Sequence, residues 1–279
     1  MKGVSAMSEK DLLLSINPFH LDLIRPLVKW KILSIKELYE DSAYEGTYKN
    51  YQKIISRLQK AEVVKGNKDV WTKTKRMYLT RTGNELVNNS RWMSHVINDG
   101  SFFHDSRVTL YLRYLAQHLK MDAIELEQER MRIKSFQDMQ RIRPDAEFTL
   151  ISSTEKRKRF LLEVELTQKS KERLIEKYEY YHRIPDYQFI LFVFPTSSLA
   201  NSYLQLFKSL TPNEKKSNYI FAMEPGLIRG NFSLTNTKAY FRGEELSLEN
   251  VFQELNGRSE GVSVGSLRGM WRQSFESLF

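Results

Sequence analysis

The chain has 279 residues, no cysteine, 41% hydrophobic and 28% charged side chains, and a formal net charge of +9. That length has room for two domains of ordinary size, and the balance of apolar and charged residues belongs to a folded protein rather than a disordered one. The lack of cysteine excludes disulfides and thiolate metal sites, no apolar run is long enough to span a bilayer, and Met1 to Lys10 lacks the apolar centre of a signal peptide, so a cytoplasmic address is expected.

Residues 1–16 carry little pattern. Asn17 and Pro18 make a helix start, and Phe19, Leu21, Leu23, Ile24, Leu27, Val28 and Trp30 continue it, with a break expected at Pro26 because proline has no N–H to donate. Ser34 is placed to cap a second short helix over Ile35 to Glu40. A third helix is expected from Thr47 to Ala61. Its Tyr48, Tyr51, Ile54, Ile55, Leu58 and Ala61 fall on one side of a helical wheel, and Lys49, Lys53, Ser56, Arg57 and Lys60 on the other. Val63 to Lys65, a turn at Gly66-Asn67-Lys68, and Val70 to Thr80 then read as a β-ribbon.

Short helices followed by a basic ribbon form a winged helix-turn-helix pattern, expected over residues 1–95. Between Thr47 and Arg81 the basic residues are opposed only by Glu62 and Asp69, so the excess positive charge is concentrated there and points to a polyanion. In such a domain the third helix enters the major groove and the wing follows the backbone or minor groove. Asn50, Gln52, Lys53 and Arg57 are suited to base edges. Lys49, Lys60, Lys65, Lys68, Lys73, Lys75 and Arg76 are suited to phosphates. The competing reading of the basic helix face is plain solvation.

Asn88 to Ser101 is polar and irregular, and a domain boundary is expected there. Val108 to Leu119 reads as a helix and Glu125 to Arg132 as a charged segment. Asp145 to Ile151 and Arg159 to Thr167 then form a hairpin of two strands. Alternation sends Phe160, Leu162, Val164 and Leu166 to one face and Glu163 and Glu165 to the other, and hairpin closure brings Asp145 near them. Lys171 to Arg183 follows as a helix and Tyr187 to Phe194 as an interior strand. Leu199 to Leu210 is a helix, Tyr219 to Met223 and Thr237 to Phe241 are late strands, and 257–279 is a flexible tail rich in Gly and Ser. Internal repeats and phosphate-binding glycine motifs are missing.

Arg143-Pro144-Asp145-Ala146, the strand Leu162-Glu163-Val164-Glu165-Leu166-Thr167, and Lys177 to Tyr181 before a final strand resemble the replication-relaxation family of mobile elements. That family joins a winged helix to a PD-(D/E)xK nuclease-like core, and the likeness runs over roughly residues 18–195. Leu79-Thr80-Arg81-Thr82-Gly83 resembles the end of a wing, and His104-Asp105 a helix start in the family. The resemblance implies an α+β winged helix domain followed by an α/β nuclease-like domain with a mixed sheet over 96–256. It also implies a Mg2+ site of Asp145, Glu163 and an upstream acid, Glu129.

A cutting site of this kind needs carboxylates for the metal and a lysine for the attacking water. The candidate catalytic set is Asp145, Glu163, Glu165 and Lys169. The family's lysine falls two residues after the second carboxylate, where this chain has Glu165. Lys169, Lys171 or Lys177 would have to reach in, or Arg143 neutralise the cluster. Tyr178, Tyr180 and Tyr181 raise the alternative of a nicking tyrosine, against which a packing stripe is the plainer reading.

The expected function is a DNA-binding accessory or regulatory protein of a plasmid or mobile element with an inactive nuclease-like domain. The alternatives are a Mg2+-dependent site-specific endonuclease and a transcriptional repressor with an assembly domain. The expected partners are double-stranded DNA, a relaxase, replication or transposition protein, and a second copy of the chain as a homodimer, with no membrane.

Overall fold

The structure, a computed structural model, describes residues 17–88, 97, 99–127, 142–183, 187–210 and 218–256. The expectations for Glu129 and for the tail 257–279 lie outside these residues. The chain is α+β and divides into two compact units, 1–109 and 110–279. The division falls within the helix Asp99–His118, which begins earlier than the expected Val108. No helix among the described residues is long and apolar enough to cross a membrane.

In the first unit, local capping chemistry sets the helix ends. The Asn17 side chain accepts from Phe19 N–H at 2.9 Å and opens α1 (Pro18–Asp22). Pro26 starts a separate α2 (Pro26–Trp30), so the break expected there occurs. After β1 (Leu33–Ser34), Ser34 and Glu37 form a reciprocal capping box at the head of α3 (Ile35–Asp41). Thr47 caps α4 (Tyr48–Lys60), whose Tyr51, Ile54, Ile55 and Leu58 are buried.

β2 (Val64–Lys68) and β3 (Lys75–Leu79) pair antiparallel, and β1 joins β3 to give a three-stranded sheet in the order β1-β3-β2. The turn lies at Asp69 to Thr74 rather than at Gly66-Asn67-Lys68, which pair with Met77, Arg76 and Lys75. Two local facts move it. A Cβ on Gly66 would come within 2.6 Å of the Met77 sulfur, so glycine here answers a close approach inside the ribbon. Asp69 forms the turn itself, its carboxylate accepting from Trp71 and Thr72 N–H at 3.0 and 3.2 Å while its own N–H donates to the Thr74 carbonyl at 2.9 Å.

The Leu-Thr-x-x-Gly sequence at the end of the ribbon also has a physical basis. Thr80 Oγ1 accepts from Gly83 N–H at the start of α5 (Arg81–Asn88) and lies within hydrogen-bonding distance of the Glu62 and Val63 carbonyls. A Cβ at Gly83 would stand 2.0 Å from the Val63 oxygen.

The second unit begins within α6 (Asp99–His118) and is built on a seven-stranded mixed sheet in the order β10-β9-β8-β7-β6-β5-β4. The strands are β4 (Met121–Leu126), β5 (Ala146–Ile151), β6 (Arg157–Val164), β7 (Phe189–Phe194), β8 (Tyr219–Met223), β9 (Lys238–Phe241) and β10 (Glu244–Ser247). The expected hairpin is β5–β6, and the all-apolar β7 sits at the centre, parallel to β6 and β8.

Helices α7 (Lys171–Arg183) and α8 (Ser197–Leu210) supply Leu174, Tyr178, Tyr181, Tyr203 and Phe207 to a core with Leu161, Phe192, Phe194 and Phe221. Elsewhere on the sheet Phe148, Phe160 and Phe189 stack in succession, and Phe252 of α9 (Leu248–Asn256) meets Phe160. Edge strands β4 and β10 had no clear sequence signal, whereas helix α9 had one that the expectations omitted: Leu248, Val251, Phe252 and Leu255 recur at helical spacing behind a Ser247 cap. In β4 Ile124 and Leu126 are buried but Asp122, Ala123 and Glu125 are exposed, and half-polar edges of this kind read as charged segments.

Gly83→Ala should lower the unfolding free energy by about 1–3 kcal/mol, because the methyl group overpacks the Val63 carbonyl. The check is the midpoint of urea unfolding, which would stay unchanged if α5 could simply shift.

Candidate nucleic-acid interface and acidic centre

The polar face of α4 and the β2–β3 ribbon carry the residues nominated for nucleic acid. Lys49, Asn50, Gln52, Lys53, Arg57, Lys60, Lys65, Lys68, Lys73 and Lys75 are all exposed. Lys75 donates to Gln59 Oε1 at 3.2 Å, a solvent-side contact between ribbon and helix. Arg76 is the exception and corrects the expectation that it meets a phosphate. It is only 4% exposed, and its guanidinium pairs with Glu37 at 3.2 Å and Asp69 at 3.5 Å.

Asp69 is the centre of that buried network. Arg107, fully buried in α6, donates both terminal nitrogens to the two Asp69 oxygens at 2.7 and 2.8 Å. The Arg107 guanidinium also lies 4.4 Å from the centre of the Phe103 ring. Burial works to raise the Asp69 carboxyl, but Arg107 and the N–H groups of Trp71 and Thr72 outweigh it and bring it down to about 2. One of the two acids in the basic stretch is thus neutralised inside the fold. The sequence held a weak sign of this in an aspartate before a turn, but Arg107 lies 38 residues away and carries no local signal.

In the second unit the hairpin register places Asp145 opposite Glu163. Asp145 N–H donates to the Leu162 carbonyl at 3.0 Å, and its Oδ2 accepts from Val164 N–H at 2.7 Å. Alternation puts Glu163 and Glu165 on the face of β6 that Leu161 shares, which is the face under α7 and α8 rather than a solvent cleft. Both are buried, at 2% and 3% exposure.

Lys177 of α7 reaches between them, its Nζ donating to Glu163 Oε2 at 2.8 Å and to Glu165 Oε1 at 2.7 Å. The Tyr181 hydroxyl donates to Glu163 Oε1. This corrects the expectation of an acidic centre without its ammonium group: the cation is present and comes from the helix. Lys169, the first nominee, is a half-buried residue of the connection after β6, and Lys171 is exposed. The signal was available in the spacing. Leu174, Lys177, Tyr178 and Tyr181 share one helical stripe, and a lysine inside an apolar stripe requires a buried acid.

Burial and the neighbouring carboxylates act together on Glu163. Burial pushes its carboxyl up from an ordinary 4.5 to about 8; Lys177 pulls the other way, while Asp145 and Glu165 add to the rise. For Lys177, burial acts to lower the ammonium, but Glu163, Glu165 and Asp145 more than offset it and raise it.

The donor set does not fit a resident divalent ion as arranged. Both Glu163 oxygens and one Glu165 oxygen are engaged by Lys177 and Tyr181, and among the described residues no three His, Asp or Glu side chains are grouped to hold a metal. The tyrosine stripe is packing. Tyr178 is buried and donates to the Tyr203 carbonyl, and burial pushes its hydroxyl well up, away from a nucleophile. His104 lies within α6, 3.7 Å from Asp105, which also pairs with Lys31 at 2.7 Å.

No protein-family model, curated protein or solved structure matches the chain.

Lys177→Met should cost about 3–5 kcal/mol at pH 8, since it strands buried carboxylates without a cationic partner. A carboxyl with a higher pKa folded than unfolded favours folding fully below the unfolded value of 4.5 and progressively less as pH rises through about 8. The loss in the variant should therefore shrink at pH 5, where the stranded carboxylates take up protons. Chemical denaturation at the two pH values checks this, and an equal loss at both would contradict it.

Proposed function

We propose that the protein binds double-stranded DNA through its N-terminal unit, read as a winged helix, and serves as an accessory or regulatory protein of a mobile element without cutting the DNA. The observation that carries the reading is the division of charges in that unit. The amide and basic side chains of α4 and the lysines of β2–β3 are exposed, whereas the opposing Asp69 is sequestered by Arg107 and Arg76. The order helix, strand, helix, helix, strand, strand and the sheet order β1-β3-β2 support the winged-helix assignment, with α4 as the groove-facing helix. The mobile-element context rests on the Pro144-Asp145, Glu163-Val164-Glu165 and Leu79-to-Gly83 motifs.

Lys177 favours a second reading, a Mg2+-dependent endonuclease, because an amine beside Glu163 is what such a site uses to orient water. The engagement of the carboxylates by that amine and by Tyr181 weighs toward a structural role.

Lys53→Ala combined with Arg57→Ala should abolish sequence-specific binding, measured by enrichment from a random duplex library, while circular dichroism stays that of the native chain. If about five phosphates are contacted, log affinity against log salt should fall with a slope near about −4.5. A flat salt response would remove the electrostatic basis of the proposal. Supercoiled DNA incubated with the protein and Mg2+ or Mn2+ should remain intact; nicking that disappears with Asp145→Ala would establish the endonuclease reading instead.

A further inference from the structure

Val70 and Trp71 occupy the tip of the β2–β3 turn and are 64% and 54% exposed, more than any other large apolar side chain among the described residues. Tight turns are ordinarily filled by Gly, Asn, Asp or Ser, so an adjacent valine and tryptophan held in water need a reason. The turn holding them is tightly tied. Asp69 accepts from Trp71 and Thr72 N–H, Asp69 N–H donates to the Thr74 carbonyl, and Thr74 N–H donates to Thr72 Oγ1. Lys73 takes a positive φ of 59°. The Arg107–Asp69 pair anchors the base of the turn in the core. Exposed Lys68 and Lys73 flank the apolar tip, with Lys65 and Lys75 behind it.

We propose that Val70 and Trp71 are an apolar wedge that enters a groove of duplex DNA and partly unstacks one base step, bending the duplex while the flanking lysines hold phosphates. The inference rests on the DNA-binding reading and adds a deformation to it. Wedges of this type recover the unstacking cost through the extra contacts a bent duplex makes, and a rigid turn spares the ordering cost on insertion. A basic tip with a tryptophan also suits an anionic lipid surface. DNA is the better fit because the same unit exposes Asn50 and Gln52, whose amides match adenine edges and have no counterpart in lipid recognition.

The test uses the full chain and a duplex carrying a donor and an acceptor dye at its two ends. Wild type should shorten the end-to-end distance on binding. Trp71→Ala should bind roughly tenfold more weakly and leave the duplex straight, and Trp71→Phe should restore part of the bend. A Trp71→Ala protein that bends DNA as wild type does would overturn the wedge while leaving DNA binding in place. A wild-type protein that binds no duplex would overturn both. Binding to phosphatidylserine vesicles that depends on Trp71, without DNA binding, would assign the tip to a membrane surface and overturn the proposal.

Discussion

The buried pairing of Asp69 with Arg107, joined by Arg76 and Glu37, decides what the first unit offers to solvent. Taking Asp69, Arg76 and Arg107 out of water is costly unless the charges pair, and here the bidentate geometry, the half-buried Glu37 and the turn N–H groups offset much of that cost. The consequence is an uneven distribution of charge. Asp69 and Arg76 are spent inside the fold, and the remaining cations of α4 and the ribbon face water with Glu62 as the opposing acid of that stretch. The same network sets the shape of the turn, so the electrostatics of the surface and the position of Val70 and Trp71 have one origin.

The second unit repeats the principle with opposite emphasis. Lys177 and Tyr181 take up the oxygens that would otherwise make Glu163 and Glu165 an open acidic site. Burial raises the Glu163 carboxyl above its ordinary range; Lys177 opposes the rise, and the charges of Asp145 and Glu165 add to it. In both units, then, charged residues that look functional in the sequence are used to hold elements together. The basic residues of α4 and β2–β3 other than Arg76 stay at the surface.

Much of the element pattern was legible. The helix start at Asn17, the cap at Ser34, the break at Pro26, the amphipathic α4, the helix Lys171–Arg183 and the apolar β7 all follow from local stereochemistry or from periodicity, and the structure has them; Thr47, expected as the first residue of α4, is instead its cap. Strands β4 and β10 were not legible because edge strands are half polar, and the ribbon turn was misplaced because the glycine at 66 serves close packing against Met77 rather than a turn.

By itself, the sequence determined the identity of the carboxylates, the concentration of basic residues between 47 and 81, and the faces on which α4 and β6 would display them. These depend on residue type and on a period of two or 3.6, which a single chain carries in full. Only the tertiary structure decided that Arg76 is buried, that Arg107 holds Asp69, and that Lys177 rather than Lys169 stands between the glutamates. Those outcomes rest on the distance between residues far apart along the chain, and burial then fixes which charges must pair and which stay in solvent.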